Sequence, residues 1–561
     1  MISIAQGLSL TVALGAFAST SHTYAAVSFS RDIAPIIFEN CASCHRPGQS
    51  APFPLLNYAD VKKHANDIVK VTADRSMPPW LAEKGTREFI GERRLSSPQI
   101  ESIAQWAAAG APEGDARDLP VMPTFPPDWQ LGPPDLIVKM PKPYILAPQG
   151  SDLYRNFVVA ASIPQTRFVR AIEFQPRNRA VHHVRIKLDS TRQSRRLDEQ
   201  DEEVGFAGMK TPGKYPAGHL LSWVPGLTPR AVDQGLQWPL EKETDLVFEI
   251  HLQRTGKEEL IDPELGLYFT NSPPSKSAVI MGLVSQLIDI PAGETNYVVE
   301  REVELPVDCF ATTVLPHMHY LAKECEVFAA LPHGARESLL RIPNWDFNWQ
   351  GEYRYKEPVL LPAGSKLTMR TRFDNSEANI RNPNHPPRRV VYGPQSTDEM
   401  CEVSLQLLPR QAADLASLQK AARALNDKET IALYEKRLQE NPRNAAVHTA
   451  LGKVLGPMGR MDEALRHFQT AVDLDPAQAE AHLYLGLALL EKRDVEGAQR
   501  EFEATLKYEP SNVRAHTGLG LVALRRDRPN EAQLHFEQAL RFNPDDPAAK
   551  FYMQKLKQPG R

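Results

Sequence analysis

The sequence predicts a multidomain chain: a small all-α domain, two β-sandwich or jelly-roll units, and a C-terminal α-solenoid. Three observations predict it. A C-x-x-C-H motif occupies 41–45, and short alternating segments separated by Pro, Gly and Asn turns fill 150–409. Beyond residue 440, Pro, Gly, Ala and Phe recur every 34 residues. A chain of 561 residues is too long for one core and should hold about three to four domains. Apolar content of 42% and charged content of 24% are ordinary for globular proteins, and a net charge of −4 points to neither nucleic acid nor an acidic membrane surface.

Residues 1–25 read as a secretory signal, with an apolar run from Leu8 to Phe17 and a small-residue cleavage site at Thr23-Tyr24-Ala25 before Ala26. The run is shorter than the ~20 residues a membrane span needs, and no other segment could cross a bilayer. The mature chain is therefore expected to be exported, to the periplasm.

The first domain is expected over 27–118. Cys41-Ala42-Ser43-Cys44-His45 is the c-type haem attachment pattern: Cys41 and Cys44 form the thioether bonds, and His45 sits beneath the iron. No second Cys pair is present for zinc, and no strand-and-crossover pattern suggests a thioredoxin-like pair. Met77, on a loop before Pro78-Pro79, is the expected sixth ligand, with His64 as the alternative; Met/His ligation raises the potential for electron transfer. Leu95-Ser96-Ser97-Pro98 opens a helix running through Trp106 and closed by Gly110. The stretch 119–149, with proline pairs at 126–127 and 133–134, reads as a semi-rigid linker that packs against its neighbours.

The β region divides into expected units at 150–290 and 291–409. Six of the chain's sixteen histidines fall between 182 and 319. In Val181 to Leu188 a regular strand sends His182 and His183 to opposite faces, so both reach one metal only at a strand end or a bulge. In Asp245 to His251 the apolar face is 246, 248 and 250, with His251 opposite. His317 and His319 share one strand face, and Met400 lies in Asp398-Glu399-Met400-Cys401 ahead of an apolar strand. Imidazoles bind copper in either oxidation state, whereas a thioether is a soft ligand that favours Cu(I). Taken singly, each of these residues fits a structural role; His219, His333 and His385 stay with that reading.

The His-His pair, the lone His about 70 residues on, the His-x-His and the Asp-Glu-Met-Cys box occur in an order that resembles the copper type II, ascorbate-dependent monooxygenases, the peptidylglycine α-hydroxylating and dopamine β-monooxygenase group. The resemblance covers about 150–409. It implies two jelly-roll domains, each holding one copper across a solvent cleft. His182, His183 and His251 would form the electron-storing site, and His317, His319 and Met400 the site where oxygen binds and a C–H bond is hydroxylated. The chain departs from the family where the peptide-amidating enzymes carry an arginine for the substrate carboxylate: that position is Leu315, followed by Pro316. Two further substrate-contacting positions correspond to Glu402 and Ser404. A peptide ending in glycine is thus not the expected substrate, and Leu315 suggests a less anionic molecule. Most of the family's disulfides are missing. Of Cys309, Cys325 and Cys401, at most one pair forms, with Cys309–Cys325 expected across the His-x-His strand.

The tail carries Pro442, Pro476, Pro510 and Pro544, with Gly452, Gly486, Gly520, Ala464, Ala498, Ala532, Phe468, Phe502 and Phe536 on the same period. This is the tetratricopeptide period. Small residues let paired helices approach, Phe fills the gap, and Pro ends each repeat. The repeats are expected over 441–555, with 410–440 as a helical linker or N-terminal cap, and they offer a surface for a protein partner or for self-association.

These readings combine into an exported copper-dependent monooxygenase with two coppers and one covalent haem c, acting on a small molecule and O2. Electrons would come from ascorbate or a periplasmic redox protein through the fused haem, at high effective concentration. The alternative is a non-catalytic haem and copper redox sensor or electron-transfer scaffold with a docking domain.

Overall fold

The computed structural model describes residues 27–47, 51–125, 128–208 and 211–557; the expected signal segment lies outside them. The chain divides into two compact units. One holds the described residues of Met1–Pro79 and Arg93–Phe125, the other those of Trp80–Glu92 and Pro126–Arg561.

The first unit is helical. A wide turn at Phe29–Ile33 leads into α1 (Ala34–Asn40), followed by α2 (Tyr58–Lys63), α3 (Ala65–Ala73) and α4 (Ser97–Ala108). Ser96 caps α4 through a reciprocal capping box with Gln99, Pro98 occupies the first turn, and Gly110 follows the helix at φ +83°. Phe29, Ile33, Ile37, Ile103 and Trp106 form a buried core. The Trp106 indole donates to the Pro112 carbonyl at 2.9 Å, so its one polar atom is satisfied. The expected domain 27–118 is interrupted: Trp80–Glu92 belongs to the other unit. The cause is aromatic burial, because Trp80 and Phe89 pack their rings on Tyr353 at 5.2 and 5.5 Å, and Phe89 bridges Tyr355 in the backbone.

Within the second unit, a first pair of sheets is built from β1 (Leu136–Lys139), β2 (Tyr144–Leu146), β3 (Leu153–Ala160), β4 (Arg167–Gln175), β5 (Val181–Asp189), β6 (Phe206–Ala207), β7 (Ser222–Trp223), β8 (Trp238–Leu240), β9 (Asp245–Leu252), β10 (Glu259–Ile261) and β11 (Glu264–Thr270), with helix α5 (Gln193–Gln200) inserted after β5. The sheets β1-β11-β4-β8 and β6-β3-β9-β5-β7 share one core, in which Phe157, Val169, Ile186, Phe248 and Leu267 meet. The stretch expected as a linker supplies β1 and β2. Val138 and Leu146 are buried in this core, and apolar burial combined with pairing to β11 and β10 overrides the prolines.

A second pair of sheets is built from β12 (Val279–Val284), β13 (Asp289–Ile290), β14 (Tyr297–Glu304), β15 (Cys309–Met318), β16 (Ala322–Ala330), β17 (Arg336–Ile342), β18 (Tyr353–Leu361), β19 (Lys366–Phe373), β20 (Val390–Val391) and β21 (Cys401–Pro409). Sheets β12-β21-β15-β18 and β14-β19-β16-β17 enclose a core that includes Val314, Val327, Met369 and Leu405. The boundary between the two pairs falls between Thr270 and Val279, not at 290, because β12 pairs along its length with β21. The expected Cys309–Cys325 disulfide is not formed. The two residues sit in different sheets of this sandwich, and Cys309, Cys325 and Cys401 are all buried free thiols.

Helix α6 (Leu415–Glu440) is tied to the second sandwich by Arg301–Glu429 and Lys436–Asp289 ion pairs, both at 3.2 Å. It leads to α7 (Ala445–Leu455), α8 (Met461–Leu474), α9 (Ala479–Glu491), α10 (Val495–Tyr508), α11 (Val513–Arg525), α12 (Pro529–Phe542) and α13 (Pro547–Leu556). The period has a steric basis. A Cβ placed on Gly452 would stand 2.5 Å from Phe468, and one on Gly486 2.8 Å from Phe502, so each repeat needs a glycine where the next helix inserts its Phe. Among the described residues, no helix is long and apolar enough to cross a membrane.

Candidate metal centre and C-x-x-C-H segment

The site begins with strand alternation. On β5 and β9, Val184, Ile186, Phe248 and Ile250 point into the first core, which leaves His183, Arg185, Glu249 and His251 on the opposite face. On β15 and β21, Val314, Met318, Cys401 and Val403 enter the second core, leaving Leu315, His317 and Glu402 on its reverse face. These two polar faces meet. The His183 and His317 rings lie 6.0 Å apart between centroids, edge to face, and Gln406 donates to the Gly218 carbonyl at 2.8 Å across the same layer.

His182 and His183 come together through a bulge. The pairing of β5 with β9 runs Val181↔Leu252 and then His183↔His251, so His182 is the extra residue. Ligand atoms of His182, His183 and His251 lie within 4.8 Å of one another, all buried. Their hydrogen bonds leave nitrogen lone pairs bare. His251 Nε2 donates to Asp152 at 3.0 Å, and its Nδ1 has no partner; His182 and His183 face each other through Nδ1 at 3.0 Å, and His182 Nε2 has none. Burial keeps the His182 and His183 rings neutral, lowering His182 to about 3 and His183 well below its usual value, with the neighbouring His251 adding to the effect.

His317 and His319 stand with ring centroids 5.4 Å apart and perpendicular planes. Gln350 donates through Nε2 to the Phe347 carbonyl, which turns its Oε1 to accept from His317 Nδ1. His319 Nδ1 donates to the Asp398 carbonyl at 3.2 Å, and its Nε2 has no partner. Burial lowers His319 to about 4 and His317 well below the imidazole range. Met400 is buried, and its backbone N–H and that of His319 both donate to Glu399 Oε1. Leu321 N–H donates to Glu399 Oε2 at 3.0 Å; burial pushes this carboxyl up to about 8 against those three donors. Phe347 lies against His182, His251 and His319 at 4.8, 6.5 and 5.3 Å.

The donor set fits a metal cation: one nitrogen of each of His251, His317 and His319 is pinned by an oxygen acceptor, and the other nitrogen of His251 and of His319 has no partner. Where the resemblance implies two sites across a solvent cleft, the two histidine groups here touch ring to ring. His219 lies apart from the cluster as a buried histidine whose ring bonds the Leu236 backbone. Asp152, Gln350, Phe347 and Arg185 were not singled out by sequence reasoning and had no motif to mark them. Glu399 lay inside the quoted box, and its carboxylate is what ties the two parts of the site together.

In the helical unit, Cys41 caps α1, its N–H donating to the Ile37 carbonyl at 2.9 Å, and His45 N–H donates to the Cys41 carbonyl at 2.9 Å. His45 Nδ1 donates to the Phe53 carbonyl at 3.1 Å, so Nε2 holds the lone pair. His64 stacks flat on Phe53 at 3.8 Å with Nδ1 3.5 Å from Asp67. Met77 is half-buried in the turn after α3, its N–H donating to the Val71 carbonyl at 3.0 Å.

Comparison with known proteins bears on the tail. A tetratricopeptide-repeat family model matches residues 449–499 and 487–547. Among solved structures, the chain is similar to the Arabidopsis OM64 TPR domain (22% identity, 21% of this chain and 96% of that one, TM-score 0.20). It is also similar to MamA (21% identity, 25% and 91%, TM-score 0.22) and to YrrB, described as a TPR protein with an unusual peptide-binding site (22% identity, 25% and 76%, TM-score 0.22). No curated protein matches the chain. The C-terminal region is thus a tetratricopeptide-repeat segment.

Proposed function

We propose that residues 136–409 form the two jelly rolls of a copper-dependent, ascorbate-type monooxygenase core, and that the helical unit is a cytochrome c domain that feeds it electrons. The observation that carries the reading is the clustering of His182, His183 and His251 with bare nitrogens, beside His317, His319 and the Met400 backbone. Three imidazoles suit copper in either oxidation state, and a thioether added to two imidazoles favours Cu(I). When bound, copper supplies one-electron redox chemistry with dioxygen. Inserting one oxygen atom of O2 into a C–H bond consumes two electrons and two protons and releases water, which gives a fused electron carrier an evident use.

This chain's own residues do the rest. Asp152, Gln350 and the Asp398 carbonyl each hold the N–H of one histidine and so orient its other nitrogen. Glu399 fixes the backbones of His319 and Met400 relative to each other. Phe347 and the two apposed sheets exclude water from the rings. In the helical unit, Cys41 and Cys44 would attach the haem, and His45 and Met77 would hold its iron, because His64 is stacked on Phe53 beside Asp67. Export to the periplasm follows from haem attachment of this type. The repeats would dock a protein partner or a second copy.

The test is a metal and haem count followed by stopped-flow. The purified protein should hold two coppers and one haem, and ferrous haem should reoxidise rapidly in air only after copper loading. Reoxidation at the same rate without copper would exclude electron delivery to the cluster. Two coppers with no oxygen consumption against any C–H substrate would favour the sensor or scaffold reading instead.

A further inference from the structure

We propose that Arg185 is a substrate anchor, placing the carboxylate of a small organic acid beside His317 between the two sandwiches. The choice of substrate class rests on the monooxygenase reading for what happens to the molecule, but not for where it binds.

Arg185 lies two residues beyond His183 on β5 and therefore on the same non-core face, the face that meets the second sandwich. Its side chain is 24% accessible, whereas the neighbouring Glu249 is 1% accessible and His183 is buried. The nearest acid, Glu249, is 3.8 Å from Nη1, too far for a hydrogen bond. That carboxylate is already bound by Lys187, whose Nζ lies 2.8 Å from its other oxygen. Among the described residues, the Arg185 guanidinium makes no hydrogen bond, and its ion pair is the long one with Glu249.

The contrast with Arg155, on β3 of the same sheet, is direct. Arg155 donates to the Val204 carbonyl at 2.6 Å, to Asp201 at 2.7 Å and to the Gly205 carbonyl at 3.0 Å, and so holds a loop in place. Arg185 makes no such hydrogen bond, only the long ion pair with Glu249. A guanidinium presents a planar fork of donors that matches a carboxylate, and one kept half-enclosed with its donors free of hydrogen bonds and only a long ion pair is placed to receive one. The polar groups around it are Glu402, opposite His317 in register, and the phenols of Tyr154, Tyr215 and Tyr392. Glu402 accepts from the Ser404 hydroxyl at 3.1 Å. Leu315, two residues before His317 on the same face, supplies an apolar contact for the rest of the molecule. The cation that the Leu315 position lacks thus arrives from a strand of the other sandwich.

Matched acid and amide pairs, benzoate with benzamide and phenylacetate with phenylacetamide, titrated into the copper- and haem-loaded protein by calorimetry, test this. The acids should bind, with each amide at least about tenfold weaker, the worth of a charge-assisted contact. Arg185→Met should remove that preference at unchanged copper content, Arg185→Lys should keep part of it, and Glu402→Gln should increase it. The preference should persist in copper-free protein. Equal binding of acid and amide, absence of binding by any acid, or acid binding only when copper is present would overturn the anchor. Two coppers without acid preference would leave the function standing and remove the anchor; acid preference in a protein that takes up no copper would do the reverse.

Discussion

The histidines of the β layer and those of the repeats look alike in composition and differ in their hydrogen bonds. In the repeats, His448 and His482 stand 34 residues apart, donate through Nε2 to the Pro442 and Pro476 carbonyls, and engage His467 and Glu501 through Nδ1. Both nitrogens are spent on holding adjacent helices. In the β layer, His182, His251 and His319 each keep one buried nitrogen without a partner. Leaving a buried polar atom unpaired costs about 1–3 kcal/mol, so three together in one layer support the proposed metal site. A single free nitrogen does not mark a ligand, since His516 in the repeats also keeps a buried Nδ1 without a partner; what sets the β layer apart is that three such histidines gather in one layer.

The sharpest way to break this comparison is substitution in both places. His251→Ala should abolish one copper per chain, read by metal analysis, while His482→Ala should leave the copper count unchanged. Equal loss in the two variants would mean that the bare nitrogens carry no metal. Met400→Ile should abolish turnover and leave the copper at His182, His183 and His251 in place. Loss of both coppers together would mean that the two histidine groups form one inseparable site.

A smaller effect tests the orienting contacts. Asp152→Asn should weaken copper at the first site by about 10–100-fold in a competitive chelator titration, the usual range for such partners. Acid should act in the same direction on stability. His182 and His319 are lowered by burial to about 3 and about 4, below the 6.5 of an unfolded imidazole. Metal-free protein should therefore hold their contribution above pH 6.5 and lose it as pH falls through about 4, because the unfolded chain takes up protons that the folded one refuses. A melting temperature flat from pH 7 to 4 would contradict their burial as neutral rings. Last, Gly486→Ala should destabilise the repeats by about 1–3 kcal/mol through the clash with Phe502, without altering metal or haem content.

Legibility in the sequence followed the range of the interactions. The repeat helices were readable because Gly486 and Phe502 are neighbours within a repeat, and each unit restates the same local solution. The α4 cap was readable for the same reason, since Ser96 and Gln99 lie one turn apart. For two adjacent histidines to reach one metal, a strand end or a bulge was needed, and the register shows a bulge at His182. Less legible were β1 and β2, whose prolines marked a linker until pairing with β11 and β10 gave their apolar residues a core. The break of the helical domain at Trp80 depended on Tyr353, more than 270 positions away. The Cys309–Cys325 expectation failed because proximity to one strand says nothing about which sheet each residue joins.

The sequence by itself determined the periodic and contiguous features: the repeat tail, the C-x-x-C-H segment, and the alternation of β5, β9, β15 and β21. Only the tertiary structure decided that the polar faces of two sandwiches meet, bringing His183 and Arg185 to His317. The physical reason is that strand alternation fixes which side chains share a face, whereas the partner of that face is chosen by the burial of a whole sheet. That choice depends on shape and apolar area summed over many strands, and no local pattern records it.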